Sequence, residues 1–406
     1  MVMGVVVGYL CHQFIPDEAT QKNVAGYIGM GSDIFLRMIK MIIAPLVFAT
    51  LVSGMAGLGD SKAIGRIGIK ALSWFLMASI ISLLLGLFFV TILHPGEGLG
   101  LPLPDAHAST QLKTGSLNIK DFVTHVFPKS IFEAMAQNEI LQIVVFALFF
   151  GFALGSFKDD TGKSLVKSIE ELGHVMLKIT NAVMKFAPVG VFSAVAATVT
   201  VQGLAVLLTY GKFVGGFVIT LAALWIVLVG VGYLVLGKRV FSLIKLIREP
   251  MMLAFSTASS EAAYPKTMEQ LQKFGARERL TGFVLPLGYS FNLDGSMIYQ
   301  SFVTLFVAQA YGIHLSLGQQ VALLFVMLVS SKGIAGVPRA SLVVVAAVMP
   351  MFGLPEAGLL LIMGIDQFLD MGRSATNVLG NSIATAVVAK WEGELGEEGS
   401  QPTFDE

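Results

Sequence analysis

The chain has 406 residues, 55% of them hydrophobic and only 13% charged, with 27 basic and 27 acidic side chains. A soluble protein carries roughly twice that charged fraction, so a soluble enzyme is excluded, and zero net charge argues against nucleic-acid binding. With a mean hydropathy of +0.76, the chain reads as an all-α polytopic membrane protein; the strands of about ten alternating residues that a β-barrel needs do not occur.

Apolar segments fall near 1–14, 34–57, 68–93, 138–156, 170–199 and 206–237, and several reach the ~20 residues that cross a bilayer. The first lacks a basic n-region and a cleavage site, so it reads as a transmembrane helix and not a signal peptide. Lys62, Arg66 and Lys70 follow the second segment. Lys158, Lys163 and Lys167 follow the fourth, and Lys238, Arg239, Lys245 and Arg248 follow the sixth. These loops are expected to be cytoplasmic, and the long Gly- and Pro-containing loop 94–137 fits the outer side.

Beyond residue 240 the apolar arms are too short to span. Residues 241–255 lead into Ser256-Thr257-Ala258-Ser259-Ser260-Glu261, and 262–274 lead away. Residues 317–330 lead into Ser331-Lys332-Gly333-Ile334-Ala335-Gly336-Val337-Pro338-Arg339, and 341–353 lead away. Each predicts a re-entrant hairpin, which is tolerated at membrane depth only where it lines a cavity. Between them, 279–310 is interrupted by Ser290-Phe291-Asn292-Leu293-Asp294-Gly295 and predicts a broken helix with free amides and carbonyls. Two such interrupted half-repeats point to a transport site near the membrane midplane.

The last polar-striped helix is expected over about 356–392. Asp366, Asp370, Arg373, Asn377 and Asn381 are spaced to share one stripe, with Leu360, Ile362, Phe368, Leu369, Val378 and Leu379 opposite. Ionisable groups at membrane depth usually face a polar cavity. Arg373 offers a planar fork for a carboxylate or an internal pair with Asp370 or Asp366. Asp370 would hold an ammonium or neutralise Arg373. Asn377 would bind substrate or cap a broken helix. Asn292 and Asp294 at the break suit a coupling ion or proton, or capping. Ser259 and Ser260 present hydroxyls and amides at half-helix ends. Lys332 and Arg339 either snorkel outward or stand beside the site. Cys11 is the only cysteine and the six histidines show no ligand spacing, so neither a disulfide nor a cysteine metal centre is expected. No hydrolase triad, zinc or phosphate-loop motif appears, and neither an enzyme nor an organic cofactor is expected.

Asn292-Leu293-Asp294-Gly295-Ser296, the serine-rich hairpin, Gly333-Ile334-Ala335-Gly336-Val337-Pro338 and the run from Asp370 to Asn377 resemble the dicarboxylate/amino acid:cation symporters, the glutamate transporter family. The resemblance covers nearly the whole chain. It implies eight transmembrane helices plus two re-entrant hairpins, an inverted-repeat elevator, and a homotrimer in the plasma (inner) membrane with both termini cytoplasmic. Residues 1–237 would be mainly scaffold, with a third helix at 68–93 moving with the transport core of 238–392. That core holds hairpin 1 at 241–275, the broken helix and hairpin 2 at 317–353, the outer gate. Residues 393–406 would form a cytoplasmic tail.

By resemblance, Arg373 binds the substrate side-chain carboxylate, Asp370 its amino group and Asn377 its α-carboxylate. Ser374 and Ser296 stand for threonines, and Ser259, Ser260 and Gly336 complete the substrate set. Asp294, Asn292, Asn381, Ser290, Gly288, Ser331 and Lys332 form the coupling set, with Na+ at Asn292, Asp294, Asn377 and Asn381 as the sodium reading. Sodium-coupled archaeal relatives have aspartate at Asn381, methionine at Leu293 and threonines at Ile334 and Ala78. These departures lean toward protons, with Asp294, Asp370 and Glu261 as carriers. Gln300 stands where animal carriers have a proton-carrying glutamate, which argues against a potassium-coupled cycle. The expected substrate is glutamate or aspartate; the rivals are a C4-dicarboxylate or cystine-like carrier and an anion channel.

Overall fold

The structure is a computed structural model that describes residues 2–58, 61–97, 103–104, 124, 126–155, 157, 160–204, 210–331 and 340–399. Among these the regular elements are all helices, apart from one isolated antiparallel bridge between Ala276 and Leu395. In chain order they are α1 (Val2–Phe14), α2 (Glu18–Leu58), α3 (Ser61–Leu93), α4 (Ile131–Gln137), α5 (Ile140–Gly155), α6 (Asp160–Met184), α7 (Ala187–Gln202) and α8 (Gly211–Leu236). There follow α9 (Arg239–Thr257), α10 (Tyr264–Lys273), α11 (Glu278–Phe291), α12 (Asp294–Ala310), α13 (Leu317–Ser330), α14 (Ala340–Val348), α15 (Leu360–Met363) and α16 (Asp366–Trp391).

Among the described residues, α2, α3 and α8 are long and apolar enough to cross a membrane, and the α6–α7 pair adds a fourth if its bend is one span. On α3, Ile69, Leu72, Leu76, Ile80, Leu84, Phe88 and Ile92 are all exposed. They recur every three or four residues, one apolar stripe along a helix, as lipid contact requires. Together with the family established below, this is an integral membrane protein.

Several boundaries differ from expectation. α2 begins at Glu18, far ahead of residue 34, because the Asp17 carboxylate accepts the Thr20 N–H at 2.8 Å and starts the helix early. The 170–199 segment is two helices bent by 55°; Pro188 in the first turn of α7 removes a donor and crowds the preceding turn. The final helix starts at Asp366, not 356. Residues 356–363 form a 3-10 turn and the short α15, and the chain breaks at Gly364 and Ile365. Leu360 and Ile362 therefore do not share the face opposite Arg373.

Packing forms two groups, joined chiefly where α2 meets α11. α2 lies against α5, α6 and α7, and α1 against α7. The other group surrounds α16, which is contacted by α3, α8, α9, α10, α11 and α12. α8 thus packs with the later elements, as α3 does. α16 is buried from Arg373 to Ala389, so a helix with this many polar side chains is held inside protein.

Hairpin 1 is α9, a short turn and α10. α9 runs on through Ser256 and Thr257, whose hydroxyls bond back to the Met252 and Leu253 carbonyls at 2.6 and 2.8 Å. Ala258, at φ +50°, ends it, so the tip is tighter than the sequence implied. Hairpin 2 has α13, opened by a reciprocal Ser316–Gln319 cap, and α14 as its arms. Lys332, Ile334, Gly336 and Arg339 lie outside the described residues. The expected break falls at Asn292 and Leu293, between α11 and α12.

Candidate functional site

α12 begins immediately after the break and points its N-terminus at the middle of α16. A Cβ at Gly295 would meet the backbone of Arg373, and one at Gly380 would meet the Asp294 carboxylate. Glycine at both positions lets the two helices approach this closely. The Gly295 N–H donates to Asn377 Oδ1 at 2.9 Å, which satisfies one of the amides a helix start leaves open.

Arg373 is 1% exposed. Its Nη2 lies 2.9 Å from Asp370 Oδ1 and 3.5 Å from Asp366 Oδ1. Its guanidinium carbon sits 3.8 Å from the centroid of the Tyr299 ring, and the Tyr299 hydroxyl donates to Asp366 Oδ1 at 2.6 Å. Nε and Nη1 have no hydrogen-bond partner among the described residues. The alternative of an internal pair with Asp370 or Asp366 is met by both carboxylates, and two donors of the fork have no acceptor among the described residues. Asp366 is in the first turn of α16, where a carboxylate is favoured by the helix dipole.

A second polar cluster lies at the break. Asn292 Nδ2 donates to Asp294 Oδ2 and to Asn381 Oδ1, both at 3.1 Å. A Cβ at Gly288 would meet Asn381, and the Gly288 carbonyl accepts the Asn292 N–H at 2.7 Å. Asn292, Asp294, Asn381 and Ser290 are buried. Ser290 Oγ, Asn292 Oδ1 and Asn381 Nδ2 lack partners among the described residues. No His, Cys, Asp and Glu group suited to a metal ion occurs among the described residues.

The structure therefore brings Asp366, Asp370, Arg373 and Asn377 against the start of α12, and Gly288, Ser290, Asn292, Asp294 and Asn381 into one cluster beside it. Ser374 is buried on the same helix and Ser296 is partly buried in the first turn of α12. The hairpin 1 arm α9 packs along α16. At its tip Ser259 Oγ accepts the Ala262 N–H at 3.3 Å, a local bond. Ser331 Oγ bonds back to the Leu328 carbonyl at 3.0 Å. Lys332 and Gly336 lie outside the described residues. Tyr299 was not expected. A tyrosine three residues after Ser296 in an apolar helix is a usable signal, since a buried phenol needs a partner. Trp225 of α8 was also missed; its Nε1 donates to Thr376 Oγ1 at 2.8 Å, tying α8 to the helix that carries Arg373.

The profile of the family described as "Sodium:dicarboxylate symporter family" matches residues 1–391. The chain belongs to this family. It is 38% identical over 404 residues to the "Proton/sodium-glutamate symport protein" of Bacillus caldotenax, covering 98% of this chain and 94% of that one. The protein of the same description from Geobacillus stearothermophilus gives the same values. It is 39% identical over 403 residues to the "C4-dicarboxylate transport protein" of Pseudomonas savastanoi pv. phaseolicola, covering 97% of this chain and 85% of that one. Family membership makes this protein a transporter.

Proposed function

We propose that the chain is a secondary active symporter for acidic amino acids, glutamate or aspartate, coupled to protons. The observation that carries this reading is the buried Arg373 guanidinium, with Nε and Nη1 unpartnered among the described residues. It is a fork suited to a carboxylate in a site sealed from water. Asp370, 27% exposed, is the group to accept a substrate ammonium, and Asn377 and Ser374 lie on the same helix to meet the α-carboxylate. Hairpin serines Ser259 and Ser260 belong to the same proposed substrate set.

Coupling follows from charge. Asp294, Asp366 and Asp370 bring carboxylates into the same polar core as the Arg373 guanidinium. An anionic substrate adds more negative charge at low dielectric, which is costly unless a proton or cation enters with it. Asn381 supplies a neutral amide, and Asn292 Nδ2 already engages the oxygens of Asn381 and Asp294. A neutral amide is a weaker ligand for a hard cation than a carboxylate, which favours the proton.

The assembly we propose has the α16-centred group, including α3 and α8, moving as an elevator against α1, α2 and α4–α7. It has eight spanning helices, and the protomers form a homotrimer in the inner membrane with cytoplasmic termini. A C4-dicarboxylate is the second reading. It is favoured by the 2.9 Å Asp370–Arg373 pair, which spends Asp370 on charge neutralisation, and by a relative of that description at 39% identity.

The experiment is uptake of radiolabelled L-glutamate, L-aspartate and succinate into proteoliposomes under an inward proton or an inward sodium gradient. Accumulation of the amino acids on the proton gradient alone supports the reading. A sodium requirement overturns the coupling, and accumulation of succinate only overturns the substrate.

A further inference from the structure

α8 ends at Gly237, α9 turns back from Lys238, and the two helices pack together. A groove of about 480 Å³ opens between them on the protein surface. Trp225, Ile226, Val229, Gly230 and Tyr233 of α8 line it, with Phe241 of α9. Ile226 and Phe241 are 73% and 58% exposed. A Cβ at Gly230 would meet nothing, so this glycine is where the wall of α8 falls away. At one end the Tyr233 and Phe241 rings are in contact, their centroids 6.0 Å apart. At the other, the Trp225 indole is fixed by its bond to Thr376 of α16 at 2.8 Å. The groove therefore has held walls before anything enters it.

Its depth and its charge have one direction. α8 is long and apolar enough to cross a membrane. Trp225 lies ~16 Å along the helix from its last residue, Leu236, at ~1.5 Å per residue. The groove thus runs from near the end of α8 to the middle of a ~30 Å hydrocarbon core, the depth of one leaflet. Beyond Tyr233 the chain turns basic: residues 238–249 carry four basic side chains and one acidic one, Glu249. Arg239 is engaged, donating from Nη2 to the Phe274 and Gly396 carbonyls at 2.9 and 2.8 Å. Lys238, Lys245 and Arg248 are exposed and unpaired among the described residues. With Phe241 they are spaced three, four and three apart, so they share the face of α9 that borders the groove.

An apolar slot one leaflet deep, with free cations at its membrane-surface end, complements a molecule that is apolar along its length and anionic at its head. We propose that this groove binds one acyl chain of an anionic glycerophospholipid, with the lipid phosphate held by Lys238 and Lys245. The chain lies over Gly230 and reaches Trp225, and the lysine stems extend along the apolar wall to bring their ammonium groups to the headgroup. Basic clusters at that surface attract anionic lipids. A zwitterionic lipid buries the same chain without that attraction, so headgroup selectivity is the signature of the site. The inference does not depend on the transport reading, and its test needs no substrate.

Trp225 itself reports occupancy. The chain has three tryptophans; Trp74 and Trp391 pack against each other, centroids 5.8 Å apart, and Trp74→Phe with Trp391→Phe leaves Trp225 as the sole indole. The full chain is reconstituted in phosphatidylcholine vesicles with rising fractions of phosphatidylglycerol or phosphatidylcholine brominated on the acyl chains, and bromine quenches the indole it touches. Brominated phosphatidylglycerol is expected to quench Trp225 at a mole fraction roughly tenfold lower than brominated phosphatidylcholine, and salt should narrow the preference. Lys238→Gln with Lys245→Gln should abolish the preference. Gly230→Leu fills the groove without a clash, favours the helix, and should cut the quenching by phosphatidylglycerol severalfold. Equal quenching by the two lipids means non-selective lipid contact and overturns the proposal. A preference that survives the double glutamine variant, or quenching unchanged in Gly230→Leu, overturns it too, since headgroup or chain then sits elsewhere. Absence of quenching by either lipid means that protein, such as a second copy of this chain, covers the groove, and that also overturns it.

Discussion

The Tyr299 ring lies 3.8 Å from the guanidinium carbon of Arg373, and the same residue's hydroxyl donates to Asp366 at 2.6 Å. One side chain from α12 thus holds both the cation and one of its counter-charges on α16. The arrangement stabilises a desolvated guanidinium by the ring face and fixes the carboxylate without consuming Nε or Nη1. Tyr299→Phe keeps the ring and removes the bond to Asp366. It is expected to lower stability by about 1–2 kcal/mol and raise KM several-fold. Tyr299→Leu removes both contacts and should raise KM by roughly tenfold or more. A Tyr299→Leu protein with native KM would show that the ring does not position Arg373.

Asp370 separates the two substrate readings. If it receives an ammonium, Asp370→Asn weakens glutamate and aspartate uptake by about 100-fold, the loss of a buried charge-assisted bond. Succinate uptake would then hold or rise, because the site loses a repelling charge. If Asp370 serves only Arg373, all three substrates fall together. Competition of each unlabelled substrate against labelled aspartate distinguishes the outcomes.

Much of this site was legible from spacing. Asp366, Asp370, Arg373, Asn377 and Asn381 fall on one helix, and the break at Asn292 lies inside the expected interruption, because both follow from local periodicity and from polar residues in an apolar run. The rest depended on contacts distant in sequence. Nothing near Tyr299 announces Asp366, which is 67 residues away. The grip of Arg279 on Glu394 spans 115 residues. The break at Gly364 was hidden because the apolar pattern continues across it. The Leu395–Ala276 bridge was hidden because an acidic, Gly-containing terminus has the composition of a solvated tail.

Asn381 offers a test of the proposed proton coupling. Its Oδ1 accepts from Asn292 at 3.1 Å, a bond between neutral groups. Asn381→Asp places a carboxylate beside Asp294, and two close carboxylates cannot both stay ionised without a cation. The variant is expected to gain sodium-stimulated uptake at neutral pH and to lose part of its proton-driven accumulation. Flux measured with sodium against choline checks this. Sodium stimulation already present in the native protein would place the ion on the backbone carbonyls and Asp294.

Glu392 gives the end of α16 a pH dependence outside the membrane. Hydrogen bonding from Arg66, reinforced by Lys70, holds its carboxyl below the usual glutamate range. A depressed folded-state pKa contributes stability above the unfolded value of about 4.3, and that contribution is lost as pH falls through the folded value. Because the Arg66 side chain is 58% exposed, the contribution at pH 7 is about 0.5–1 kcal/mol after solvent screening. Glu392→Gln is therefore expected to lower the thermal midpoint of the detergent-solubilised protein at pH 7. The difference from the native protein should shrink as pH falls toward 4. Salt should narrow the gap as well, since the pair is partly in water. A difference that stays constant from pH 7 to pH 4 would mean that the substitution acts through packing and not through the charge on Glu392.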